Sequence, residues 1–140
     1  MSARNIMNHH DLHSVRRFAE AYTAAWCSQN PNQVAACYSE DGSLSVNNDP
    51  PAVGREAIAD VARGFMTAFP DMKVSLDDIR WDKSNPTYHW TLIGTNSGPG
   101  GTGRSVHING YEVWEIGADG LIANSEGHFD SAEYRRQLGS

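Results

Sequence analysis

The chain has 140 residues and a formal net charge of −6, with 17 acidic side chains against 11 lysines and arginines. That length is most simply one domain, able to bury roughly two thirds of the surface its unfolded chain would expose. The acidic balance argues against nucleic acid and anionic membrane as partners, because both demand clustered cationic side chains.

Residues 1–13, "MSARNIMNHHDLH", carry no apolar periodicity and read as a polar tail, with one domain over 14–140. His9 and His13 would share a helical face. With no further ligand fixed nearby, a tail is preferred to a metal site, and neither metal nor cofactor is expected. No signal-peptide core or membrane-spanning run follows, so a cytoplasmic location is expected. From Ser14, the apolar positions Val15, Phe18, Ala19, Tyr22 and Trp26 step by three and four, predicting an amphipathic helix. "QNPNQ" ends it, Asn30 can cap, and Pro31 opens a short second helix carrying Val34 and Tyr38. Cys27 and Cys37 fall among apolar helical positions, where buried reduced thiols are the simple reading.

"EDG" predicts a turn into a short strand, Ser43–Val46. After "NNDPP", Ile58, Val61, Ala62, Phe65 and Phe69 form the stripe of a third helix, which Pro70 ends. The remainder reads as strands. Met72, Val74 and Leu76 alternate, then Ile79 and Trp81 continue on the opposite parity, which one inserted residue near Asp77–Asp78 explains. "TYHWTLIGTN" and "RSVHINGYEVWEI" are strands joined by the glycine-rich "SGPGGTG". That connection lacks the lysine of a phosphate loop, and no serine sits in a nucleophile-elbow pattern. Residues 121–129 form the last strand. "DSAE" then places Asp130 at an N-cap and Glu133 at the third helical position. A cap accounts for Asp130 without chemistry. Three helices followed by a bent antiparallel sheet make an α+β plan with helices on one face.

"HWTLIGTNSG" (89–98), "TGRSVHINGYEVWEIGADGLI" (102–122) and "FDSAEYRRQLG" (129–139) resemble the SnoaL-like polyketide cyclase group of the nuclear-transport-factor-2-like superfamily. The resemblance extends more loosely over residues 14–139. It implies a cone-shaped half-barrel, with a curved, mostly antiparallel sheet and three N-terminal helices closing a pocket. It also implies a homodimer through the sheet's outer face. The scaffold hosts isomerases, cyclases, lyases and non-catalytic binders, so the resemblance carries fold further than reaction.

Strand alternation decides which side chains face that pocket. On the last strand Leu121, Ala123, Ser125, Gly127 and Phe129 share the inner face. Ile122, Asn124, Glu126 and His128 share the outer one. Cyclases of the resembled group present an ionisable pair from the inner face of this strand, and the matching positions are Ser125 and Gly127, which move no proton near neutral pH. Tyr88, Trp90, Leu92 and Asn96 share a face of their strand, while His89 and His107 are expected outside. Val106, Ile108, Gly110, Glu112, Trp114 and Ile116 share a face of the next, with Glu112 alone among apolar neighbours.

Burial disfavours an ionised carboxylate and raises its pKa toward the range of a general base. Glu112 is the candidate base, and Arg55, Arg80 or Arg104 could instead neutralise it. Asn96, Trp90 and Tyr22 are candidates to orient substrate or hold an enolate oxygen. Tyr22, Trp26, Tyr38, Phe65, Trp90, Trp114, Ser125 and Phe129 are expected to line the ligand site, where a flat or polycyclic molecule would give the polar tips of these aromatics a use. The expected function is proton abstraction (cyclisation, isomerisation or lyase chemistry) on a hydrophobic carbonyl compound. The alternative is a dimeric module that binds a hydrophobic ligand without transforming it.

Overall fold

The computed structural model describes residues 12–81 and 85–139. The expectations for residues 1–11, His9 among them, lie outside the described residues. Helix α1 runs Leu12–Cys27, two residues earlier than periodicity placed it, and buries Val15, Phe18, Ala19, Tyr22, Ala25 and Trp26 on one stripe. Asn30 caps α2 (Pro31–Ala35) by accepting from the Asn32 N–H, with Pro31 in the first turn. Then follow β1 (Tyr38–Val46), β2 (Ala52–Val53), α3 (Arg55–Ala68), β3 (Lys73–Arg80), β4 (Thr87–Thr95), β5 (Ser105–Ile116), β6 (Ile122–Phe129) and α4 (Ser131–Leu138).

The six strands form one curved, unclosed sheet in the order β2-β1-β6-β5-β4-β3. Every neighbouring pair is antiparallel except β1 with β6, which run parallel. The inserted residue expected in β3 is present as a register shift between Leu76 and Asp78. Helices α1 and α3 lie against the sheet, and their apolar stripes merge with it into one core.

Four local expectations need correction. Tyr38 does not belong to α2: the helix ends at Ala35, and Tyr38 opens β1 beside Ile122. Strand β1 is longer than Ser43–Val46, because "EDG" is absorbed as an irregularity between Tyr38 and Ser43 rather than a turn. A Cβ on Gly42 would lie 2.9 Å from the Ile122 carbonyl oxygen, so only glycine lets the strands close there. Ile122 is fully buried rather than outward, since a register shift between Glu115 and Ile116 resets parity at the start of β6. Cys27 ends α1 exposed, with its Sγ 3.3 Å from the backbone N and O of Val74, and Cys37 is half-buried between α2 and β1.

The cap at Asp130 is realised: its carboxylate accepts from the Glu133 N–H at 3.0 Å, a contact worth about 1 kcal/mol. Glu133 does not complete the box. Its side chain turns to Arg136 and Gln137 instead. Gln137 in turn pins α4 to β5, accepting from the His107 N–H at 2.6 Å and donating to its carbonyl at 3.0 Å.

Candidate functional site

The site is assembled on the inner face of β4, β5 and β6, under α1 and α3. Glu112 lies in the middle of β5, opposite Tyr88 on β4 and Gly127 on β6. The parity of β5 holds along its length, so Val106, Ile108, Glu112 and Trp114 are all buried. On β6, Ser125 and Gly127 point inward, whereas Glu126 is exposed and His128 packs against Tyr111 on the outer face.

None of the three candidate arginines reaches Glu112. Arg55 donates to the Tyr38 carbonyl at 2.9 Å, Arg80 pairs with Asp78 at 2.8 Å, and Arg104 lies beside Gly139. Neutral donors hold the carboxylate instead. Its Oε1 accepts from Trp114 Nε1 at 2.8 Å, Ser125 Oγ at 2.9 Å and the Tyr22 hydroxyl at 3.0 Å. Its Oε2 has one longer partner, Tyr22 at 3.2 Å. The Tyr22 hydroxyl lies 2.8 Å from that of Tyr38. Burial raises the Glu112 pKa above the ordinary glutamate value, and hydrogen bonds from Trp114, Ser125 and Tyr22 pull it partly back. Burial first, and the Glu112 charge second, push the Tyr22 and Tyr38 hydroxyls well above the usual tyrosine range.

Above Glu112 opens a cavity of about 60 Å³, lined mainly by apolar side chains. Trp26 of α1, Phe65 of α3, and Trp90 and Phe129 of the sheet contribute its aromatic walls, in line with the sequence pattern. Tyr88 and Gly127 also line it. Tyr88 was legible as the partner of Trp90 two residues on, but its pairing with Thr23 at 2.6 Å was not. Tyr22, Tyr38, Trp114 and Ser125 stand behind Glu112 and ligate it or each other. Their polar tips therefore have protein partners. Among the described residues Trp90 is the exception, because its Nε1 is buried and has no hydrogen-bond partner there. Gly110 lets that indole lie down on β5: a Cβ there would sit 2.6 Å from Trp90 Cζ2 and 2.3 Å from the His128 oxygen.

Asn96 is not among the lining residues. Its amide donates to the Ala68 carbonyl at 3.2 Å and accepts from the Thr102 N–H at 2.8 Å, which anchors the β4–β5 connection to the end of α3. The polycyclic ligand also needs revision. An apolar cavity of roughly 150 Å³ is what benzene occupies, so 60 Å³ holds a compact group unless the aromatic walls move. Among the described residues, no three His, Cys, Asp or Glu side chains are placed to hold a metal ion, and no helix is long and apolar enough to cross a membrane.

Solved structures share this architecture. TsrD from Streptomyces laurentii superposes with a TM-score of 0.79 at 23% identity, covering 92% of this chain and 97% of its own. A hypothetical protein with a ketosteroid isomerase-like fold from Catenulispora acidiphila, solved in complex with trimethylamine, gives 0.74 at 16% identity, covering 86% and 90%. A candidate SnoaL-like polyketide cyclase from Jannaschia sp. CCS1 gives 0.75 at 14% identity, covering 100% and 99%. At these identities the likeness is one of fold alone. No curated protein sequence matches the chain significantly. The SnoaL-like domain family matches residues 15–125, well over half the sequence, and the chain belongs to that family.

Proposed function

We propose that this protein takes a proton from a carbon beside the carbonyl of a compact hydrophobic compound, with Glu112 as general base. The observation that carries this reading is an uncompensated carboxylate at the base of an apolar cavity. Burial raises its pKa, and a base whose pKa approaches the working pH transfers protons best. Three donors hold Oε1, leaving Oε2 as the more basic oxygen. Trp90 Nε1, a buried donor without a partner among the described residues, is the group available to the carbonyl oxygen once a ligand rearranges the cavity wall. Incubating the protein in heavy water with a panel of small cyclic and branched ketones tests this. Stereoselective deuterium uptake beside one carbonyl is the expected result, and no uptake above buffer for any ketone overturns it.

A second reading is supported by the aromatic walls together with that same carboxylate. Trp26, Phe65, Tyr88, Trp90 and Phe129 beside an unpaired acid suit a small alkylammonium, held by ring faces and the opposite charge. The trimethylamine complex of the Catenulispora protein adds to this support. Calorimetric titration with trimethylammonium separates the two: binding without deuterium uptake by any ketone favours a binding module, and no binding removes it.

A homodimer through the outer sheet face belongs to either reading. That face carries a row of rings, with His89 5.7 Å from Tyr111 and Tyr111 5.0 Å from His128 between centroids, and an exposed Ile93. Light scattering at micromolar concentration should return twice the 15.4 kDa chain mass, and a monomer mass would remove the dimer.

A further inference from the structure

Paired residues form rows across the inner face of the sheet, and glycine interrupts two neighbouring rows. One runs Leu76–Trp90–Gly110–Phe129 across β3, β4, β5 and β6. The next runs Ile79–Tyr88–Glu112–Gly127–Val46 and ends on β1. The two gaps differ in what fills them. At Gly110 the protein fills its own gap with the Trp90 indole, and a Cβ would collide with that ring and with the His128 carbonyl.

The gap at Gly127 is left open. A Cβ there would lie 3.4 Å from the Ser45 carbonyl oxygen and 3.7 Å from Glu112 Cγ, both ordinary van der Waals separations. Gly127 is also not among the glycines with positive φ; it sits inside β6, paired on both sides. Neither backbone conformation nor packing demands glycine here, and glycine in a strand interior weakens the strand. What the missing side chain provides is room. Gly127 lines the apolar cavity, as do Val46 and Glu112 on either side of it.

We propose that Gly127 sets the specificity of the site: the carbon held against Glu112 carries a small alkyl substituent, seated on the β6 backbone over Gly127 and bounded by Val46. This deepens the reading of Glu112 as base, and rests on it, by naming the substrate class. The favoured compounds are ketones that are branched or cyclic at the reacting carbon. A ketone with only a methyl group at that carbon leaves the seat vacant and forfeits its contacts. A cavity of about 60 Å³ keeps the substituent to a methyl group or a ring methylene. One methylene more or less in an apolar pocket changes discrimination by about 10- to 200-fold, which is the preference this seat can give.

Gly127→Ala puts a methyl group into the seat. Binding of cyclopentanone and of acetone to parent and variant, followed by amide chemical shifts in NMR, tests the proposal without any turnover. Cyclopentanone has a ring carbon on each carbon beside its carbonyl, and acetone has none. The variant should bind cyclopentanone at least about 10-fold more weakly and lose much less affinity for acetone. Its melting temperature should equal or exceed the parent's, because alanine suits a strand better than glycine. Gly110→Ala, by contrast, should melt well below both. In the parent, the ring protons of bound cyclopentanone should show nuclear Overhauser contacts to the Gly127 α-protons.

Equal changes for the two ketones overturn the proposal, as does a Gly127→Ala protein that melts well below the parent or fails to fold. Cyclopentanone that does not bind the parent, or binds it without touching the Gly127 α-protons, overturns it too. The seat and the base fail separately. Selective binding without deuterium uptake removes the base and leaves the seat, whereas uptake with unselective binding does the reverse.

Discussion

Replacing Glu112 with Gln should cut proton transfer by about 10²- to 10⁴-fold, the usual contribution of a positioned general base, while making the protein more stable at neutral pH. The amide oxygen can take the donors that Oε1 now holds from Trp114, Ser125 and Tyr22, and the amide NH₂ can donate to the Tyr22 oxygen. The fold therefore keeps its partners and loses a buried charge. The pH dependence follows from the direction of the shift. The folded-state pKa of Glu112 lies above its unfolded value because burial disfavours the anion. Between the two values the folded state binds more protons than the unfolded state, so stability falls as pH rises through this window. The residue has no destabilising effect below the unfolded pKa and its full effect above the folded one. Urea midpoints of parent and Glu112→Gln should thus converge in acid and diverge toward neutrality, with the variant higher. A variant less stable than the parent at pH 7 would mean that the ionised carboxylate holds the fold together, and that it is a structural anchor rather than a poised base.

The decisive placement here, Glu112 inward and His128 outward, follows from alternation along β5 and β6, a period of two that can be counted along the chain. What alternation could not supply is everything set by contacts between elements. The arginine question stayed open because Arg55, Arg80 and Arg104 are set apart in sequence from Glu112, and only the packed structure shows each engaged elsewhere. Asn96 sat on the correct face of β4, yet lies where the strand leaves the sheet, so its amide serves the connection instead of the cavity. Tyr38 fits a helical step from Val34, and long-range pairing with Ile122 overrode that step. Ile122 itself was misplaced because a bulge resets parity and leaves no mark in composition. The hydrogen bonds behind Glu112 join positions 22, 38, 112 and 125, and no local pattern connects them.

Trp114→Ala should be the most damaging single substitution in the core, costing about 3–5 kcal/mol, the range for truncating a buried tryptophan. Trp114 is fully buried, stacks on Tyr88 at 5.1 Å between centroids, and meets the edges of Tyr22 and Phe18 at 5.3 and 5.7 Å. Domains of this size are stable by only about 5–15 kcal/mol, so this loss removes a large share of the total. Two effects combine, a cavity among aromatic rings and the removal of an indole N–H from Glu112 Oε1, and a second variant separates them. Trp114→Phe keeps most of the ring contact but removes the donor. Its defect should therefore depend on pH, because an ionised carboxylate depends on that donor more than a protonated one does. Thermal melts should show Trp114→Phe close to the parent in acid and clearly weaker near neutrality, whereas the larger volume-driven loss in Trp114→Ala persists at both. If Trp114→Phe were equally destabilised at the two pH values, its indole N–H would have no charge to serve, and Glu112 would have to be neutral in the resting protein across that range.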